Sequence, residues 1–240
     1  MNESSPPQHV SIIGAGVIGA AWAARWVLRG SSVAIYDPSP ETERIVTEVL
    51  ENARYAWQRL DTAPEGEGSL TFSKSLGEAV EGAHLIQEST PEDLDFKKSI
   101  FAQIESCADN TALIASSTSG LLPSTLQDEM IHPDRLVVGH PFNPVYLIPL
   151  VEVVGGKQTS ADSISTAITF YEAAGMSPLH VRVEIDAFIA DRLLEAVWRE
   201  ALWLVKDGVA TTQEIDDAIH LGFGLRWAQM GLFENYRIAG

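Results

Sequence analysis

Val10-Ser11-Ile12-Ile13-Gly14-Ala15-Gly16-Val17-Ile18-Gly19 is the stretch whose reading decides the fold. A short apolar run breaks into a glycine-rich turn, and the turn opens an apolar-periodic segment that reads as helix as far as Leu28. Ser32-Val33-Ala34-Ile35-Tyr36 follows as a second apolar run, closed by Asp37. The order predicts a β–α–β unit, in which each glycine has a physical task. Gly14 permits the tight turn, Gly16 lets the backbone approach a pyrophosphate, and Gly19 allows close packing of helix on strand. Ala15, Val17 and Ile18 complete the loop, whose helix N-terminus offers unpaired N–H groups to an anion. A carboxylate at the end of the second strand, Asp37, accepts the hydroxyls of an adenosine ribose and repels a 2′-phosphate, so the unit predicts NAD rather than NADP. A glycine turn beside a solvated aspartate is the plainer alternative, and the β–α–β setting argues against it.

Beyond Asp37, strand-like runs recur at 70–72, 84–87, 111–115, 136–139 and 150–154. Helical patterns separate them at 40–60, 76–81, 94–108 and 124–130. This alternation predicts an α/β fold, a doubly wound Rossmann-type sheet that is mostly parallel, with helices on both faces. After Val183 the pattern changes to a long helix over 187–206, and Thr211-Thr212-Gln213-Glu214 reads as a capping box opening another. The expected domains are therefore 1–183, which binds NAD, and 184–240, a smaller all-helical domain for substrate and dimerisation. So short a second domain cannot bury much of a core alone, which favours association.

The 240 residues, 45% of them apolar, are enough for a real core, which excludes disorder and small stapled scaffolds. With 33 Asp+Glu against 16 Lys+Arg the net charge is −17, which repels nucleic acid and anionic membrane. The single Cys107 allows no internal disulfide and reads as a buried small residue. Neither a bilayer-spanning run nor a secretory signal pattern is present, so the expected location is cytoplasmic. No metal-ligand spacing stands out.

Two constellations at the far ends of strands carry further chemistry. In His140-Pro141-Phe142-Asn143-Pro144, the histidine follows a strand at the edge where open α/β sheets bind ligands. Such a histidine takes a hydroxyl proton in a dehydrogenation, and Glu152, inside the apolar run Leu150-Val151-Glu152-Val153-Val154, is a carboxylate in need of a partner. A histidine satisfied in the core and a glutamate on an exposed strand face explain the same residues equally well. Ser116-Ser117-Thr118-Ser119-Gly120 offers hydroxyls to a substrate alcohol or, more simply, a helix cap.

Taken together, Gly14 to Gly19, Ser116 to Gly120, His140-Pro141-Phe142-Asn143-Pro144-Val145, Leu150-Val151-Glu152-Val153 and Met230-Gly231-Leu232-Phe233-Glu234 resemble the 3-hydroxyacyl-CoA dehydrogenase superfamily, in order and in spacing. The resemblance runs from about Val10 to the end. It implies an NAD-dependent oxidoreductase with His140 as base, Glu152 as its partner, Ser119 on the reacting oxygen and Asn143 near the nicotinamide. It also implies cofactor contacts from Glu88 and Lys97. The segments 116–124, 191–204 and 224–234 are similar to the branch that oxidises the 3-hydroxyl of L-carnitine to 3-dehydrocarnitine. A 3-hydroxyacyl-CoA substrate, such as 3-hydroxybutyryl-CoA, and a crystallin-like protein that binds NAD without turnover are the alternatives.

One departure bears on substrate. Phe188-Ile189-Ala190-Asp191-Arg192-Leu193-Leu194 has an acid where acyl-CoA members usually carry Asn, and a negative charge suits a trimethylammonium group. Asp191, Trp198 and Trp227 are the candidates for that end of carnitine, with Arg192 or Arg226 for its carboxylate. A solvated charged stripe and aromatic core residues are the competing explanations. By the same resemblance the chain forms a homodimer through its C-terminal helices, and similar dehydrogenases continue through further helices beyond the position of Gly240.

Overall fold

A computed structural model describes residues 6–60 and 66–239. The chain divides between Ile189 and Ala190 into two compact units. In the first, a single sheet of eight strands has the order β3-β2-β1-β4-β5-β6-β7-β8, with ranges β1 His9–Ile13, β2 Ser32–Tyr36, β3 Leu70–Phe72, β4 Leu85–Glu88, β5 Leu113–Ser116, β6 Leu136–Pro141, β7 Leu150–Gly155 and β8 Ser177–Val181. β1 to β6 are mutually parallel, β7 runs antiparallel to β6, and β8 is parallel to β7. The order 3-2-1-4-5-6 is the doubly wound one, in which ligands bind beyond the C-terminal ends of the strands where the winding reverses between β1 and β4.

The buried strands read as nearly continuous apolar runs because both faces are covered. β5 and β6 have no exposed residue, and α1 (Val17–Val27) is buried from Gly19 onward. α2 (Thr42–Arg59) is amphipathic, burying Thr42, Val46, Leu50, Ala53 and Trp57 at helical spacing. α3 (Leu76–Val80), α4 (Leu94–Cys107) and α5 (Pro123–Gln127) lie in the connections from β3 to β6; Ser75 and Asp93 cap the first two through their side chains.

Two elements had no counterpart in the predicted pattern. α6 (Ala161–Ala173), capped by Ser160, is rich in Ser and Thr and buries only Ala167 and Tyr171. β8 is a largely exposed edge strand containing Pro178, a position where proline is tolerated. Cys107 is exposed, contrary to the expectation of a buried residue: it is the last residue of α4, where the packed face formed by Ile100, Phe101 and Ile104 runs out.

The second unit consists of α7 (Ala190–Lys206), α8 (Thr212–Ala218), a π-turn over Ile219–Phe223 broken at Gly222, α9 (Gly224–Trp227) and α10 (Leu232–Ala239). Thr211 and Glu214 form a reciprocal capping box at the start of α8. α7 starts at Ala190 rather than 187 because Ala187 and Phe188 have φ of 60° and 45°, left-handed values that no right-handed helix contains. None of its residues is buried; Leu193, Leu194 and Trp198 are more than half exposed. Among the described residues no helix is long and apolar enough to cross a membrane.

Candidate active site

The loop between β1 and α1 is shaped by close backbone contacts. Gly14 has φ +89°, and a Cβ there would stand 2.7 Å from the carbonyl oxygen of Ser89. At Gly19 a Cβ would overlap the carbonyl of Gly14, so helix and loop pack at a distance only glycine allows. Gly16 is different: a Cβ would meet nothing within 4 Å, so its absence leaves the loop open to a ligand. Gly16 is also the N-cap of α1, with no side-chain cap and no acid in the first turn, which leaves the helix N-terminus available to an anion.

Asp37 closes the other side. Its Oδ2 accepts the N–H of Ala15 at 2.8 Å and its Oδ1 that of Ser39 at 2.8 Å. Each oxygen keeps a second lone pair for a hydroxyl. Gly14, Gly16, Asp37, Thr90, Phe96 and Ile100 are among the residues lining a cleft of about 600 Å³ here. The set of donors, the carboxylate and the apolar wall fit a dinucleotide.

Glu88 and Lys97 form a fully buried ion pair at 2.8 Å. Glu88 also accepts the N–H and Oγ1–H of Thr90, both at 2.6 Å, and the hydroxyl of Ser116 at 2.5 Å. Lys97 donates a second time to the carbonyl of Thr90 at 3.1 Å. The pair thus fixes Thr90, which lines the cleft, while Glu88 and Lys97 are not among its lining residues.

His140 and Glu152 are direct cross-strand partners in the β6–β7 register. His140 Nδ1 lies 2.9 Å from Glu152 Oε2, with His140 5% exposed and Glu152 completely buried. The second carboxylate oxygen, Oε1, accepts the N–H of Ile189 at 2.9 Å. Phe142 and Phe188 flank the imidazole at 5.1 and 5.6 Å between ring centroids. With Nδ1–H donated to the carboxylate, Nε2 carries the lone pair of a base.

Ser119, exposed just beyond β5, has its N–H held by Glu92 Oε1 at 3.2 Å; the same oxygen accepts from Gly120 N–H and from the hydroxyl of Thr118. Glu92 therefore shapes the loop that carries Ser119, a role the sequence reading missed although Pro91-Glu92-Asp93 stands at the productive edge of the sheet. Asn143 is exposed in the loop after β6. That loop is clamped from α1 and α2: Arg25 Nε donates to the carbonyl of Val145 at 3.2 Å, and Trp57 Nε1 to that of Tyr146 at 2.6 Å. Burial, and then the charge of Arg29, lower the Arg25 pKa to about 10, so it remains cationic at neutral pH.

The three substrate candidates lie in the helical unit. Asp191 stands in the first turn of α7, Trp198 is exposed on the same helix, and Trp227 meets Phe223 edge-on at 4.6 Å. Elsewhere Trp22, Trp26 and Tyr171 form a second aromatic group, but their ring centroids are only 5.3–6.1 Å apart and fully buried, which makes it core with no room for a cation.

Comparison with known proteins agrees with the fold. Residues 9–185 match the model of the 3-hydroxyacyl-CoA dehydrogenase NAD binding domain, and residues 188–240 match that family's C-terminal domain. An L-carnitine dehydrogenase/betainyl-CoA thioesterase of Agrobacterium fabrum is 57% identical over 96% of this chain and 47% of its own length. An L-carnitine dehydrogenase of Mesorhizobium japonicum is 55% identical over 95% of this chain and 63% of its own. The chain thus spans less than two thirds of either relative. Among solved structures, 5-formyl-3-hydroxy-2-methylpyridine 4-carboxylic acid 5-dehydrogenase, described as an NAD+-dependent dismutase, superposes with a TM-score of 0.93 at 31% identity, covering 98% of this chain and 76% of that one.

Proposed function

Because this chain belongs to the 3-hydroxyacyl-CoA dehydrogenase family, whose NAD-binding domain it carries, we propose that it oxidises the 3-hydroxyl of L-carnitine to 3-dehydrocarnitine with NAD. The observation that carries the chemistry is the buried His140–Glu152 pair at the C-terminal edge of the sheet. The names of the relatives at 55–57% identity support the choice of substrate.

Gly14, Gly16 and the first turn of α1 would hold the pyrophosphate, and Asp37 the adenosine ribose. NAD, when bound, supplies the acceptor for the hydride that leaves C3 of the alcohol. His140 Nε2 takes the hydroxyl proton, and Glu152 stabilises the imidazolium that results. Ser119 holds the reacting oxygen and Asn143 stands near the nicotinamide. Glu88 and Lys97 serve the cofactor by fixing Thr90 at the cleft.

Asp191, Trp198 and Trp227 take the trimethylammonium end, the acid contributing charge and the rings their π faces. Arg192 or Arg226 meets the carboxylate. Asp191→Asn then weakens carnitine turnover more than NADH binding. The exposed apolar residues of α7 favour a homodimer formed through the helical unit, which sedimentation velocity would read as a doubled mass.

The substrate is tested by following NADH absorbance with NAD and, separately, L-carnitine, D-carnitine or 3-hydroxybutyryl-CoA. A rise with L-carnitine alone is expected. A rise with the CoA ester alone overturns the substrate, and NADH binding without turnover of any of the three overturns the activity.

A further inference from the structure

Between the aromatic core and the cofactor cleft runs a chain of buried and half-buried polar groups that the proposed chemistry does not use. The phenol of Tyr171 on α6 is completely buried against Trp22 and Trp26, and it donates to Gln87 Oε1 at 2.8 Å. Gln87, equally buried in the central strand β4, donates from Nε2 to Ser117 Oγ at 2.8 Å. Ser117 and Ser89, at the ends of β5 and β4, share a hydroxyl–hydroxyl contact of 2.9 Å. Ser89 lines the cleft beside Gly14.

A phenol and an amide in the middle of an apolar core are costly unless every bond is made, and a Phe–Leu pair would fill this space more cheaply. The backbone is also adapted to the phenol: at Gly139, next to His140, a Cβ would overlap the Tyr171 hydroxyl. Burial holds the phenol far above its ordinary pKa, so it stays protonated and remains a donor.

The direction of the chain follows from its donors. Tyr171 gives its only hydrogen to Oε1, which turns the amide so that Nε2 faces Ser117. Either hydroxyl could donate in the Ser89–Ser117 contact, and because an oxygen that accepts a strong bond donates its own hydrogen better, the bond from Gln87 favours Ser117 as the donor. The hydrogen of Ser89 is the one left over, at the cleft. We propose that Ser89 is a cofactor-binding residue whose hydroxyl is presented to the dinucleotide as a donor, and that Tyr171 and Gln87 are positioning residues that set this polarity.

The inference rests on the assignment of the cleft to NAD and is independent of the carnitine substrate. It is tested by NADH fluorescence titration of the full chain, with thermal midpoints measured in parallel. Ser89→Ala is expected to raise the Kd about fivefold to tenfold without lowering the midpoint, and Ser89→Thr, which restores the hydroxyl, to recover affinity relative to Ser89→Ala. Tyr171→Phe removes the donor that orients Gln87 and raises the Kd by a smaller factor in an otherwise wild-type protein. In a Ser89→Ala background the same change has no further effect on the Kd. A Ser89→Ala Kd equal to that of wild type overturns the proposal, as does an equal Tyr171→Phe effect in both backgrounds. Wild-type protein that fails to bind NADH overturns instead the assignment of the cleft.

Discussion

Glu152 stands directly across the β6–β7 pair from His140, with one oxygen 2.9 Å from the imidazole Nδ1 and the other holding the N–H of Ile189. A buried carboxylate bonded at both oxygens has a fixed orientation, and so does the ring it faces. Glu152→Gln keeps the size of the side chain, leaves one oxygen where the carboxylate has two and removes the charge that, on the proposed function, stabilises the imidazolium. Turnover should fall by about 10²-fold or more, with the NADH Kd unchanged. Steady-state kinetics that keep the wild-type kcat would show that the charge is not needed.

Phe188 reaches His140 through a strained backbone. Ala187 and Phe188 are both left-handed, a conformation that costs a non-glycine residue roughly 1–2 kcal/mol. Ala187→Gly removes that penalty at the expense of chain entropy of about 0.5–1 kcal/mol, so the thermal midpoint should hold or rise by a few degrees. Phe188→Ala, which empties a fully buried site beside the imidazole, should cost about 3–5 kcal/mol and lower kcat as well. Calorimetry of the two variants checks both signs; a midpoint that falls with Ala187→Gly contradicts the strain.

Asp37 holds the glycine loop through Ala15 and lines the cleft that the proposed function assigns to NAD. Hydrogen bonds to a charged acceptor contribute roughly 1.5–3 kcal/mol, so Asp37→Ala should weaken NADH by tenfold or more. The same change removes the repulsion of a 2′-phosphate and narrows the preference for NADH over NADPH. Titrations with both nucleotides measure the two effects separately, and an unaltered ratio would remove Asp37 from discrimination.

The Glu88–Lys97 pair is the most deeply buried ion pair beside the cleft. Lys97→Met leaves Glu88 charged without its partner and should cost about 3–5 kcal/mol of stability, read by urea denaturation. Adding Glu88→Gln should return much of the loss, because the uncompensated charge disappears. Equal stability of the single and double variants would show that the pair is not coupled.

Much of this was legible in the sequence because the informative residues are constrained by the backbone. Gly14-Ala15-Gly16-Val17-Ile18-Gly19 followed by Asp37 admits few structures, and the apolar runs of β5 and β6 are those of strands covered on both faces. β8 and α6 escaped because exposed edges and Ser/Thr-rich helices carry weak periodicity. The start of α7 was misplaced because left-handed Ala187 and Phe188 look like ordinary helix formers. Contacts between distant residues, such as Glu92 with the Ser119 loop, Arg25 with Val145 and Tyr171 with Gln87, leave no trace in local pattern. They depend on the strand order, which only the folded sheet supplies.

The central claim is that His140 takes the hydroxyl proton of L-carnitine as hydride passes to NAD. Its most direct test compares the initial rate of NADH formation from L-carnitine by wild type and His140→Ala at saturating NAD, with NADH fluorescence confirming cofactor binding in both. The account predicts a loss of roughly 10²–10⁴-fold in rate at unchanged NADH affinity. A His140→Ala rate near that of wild type would contradict it.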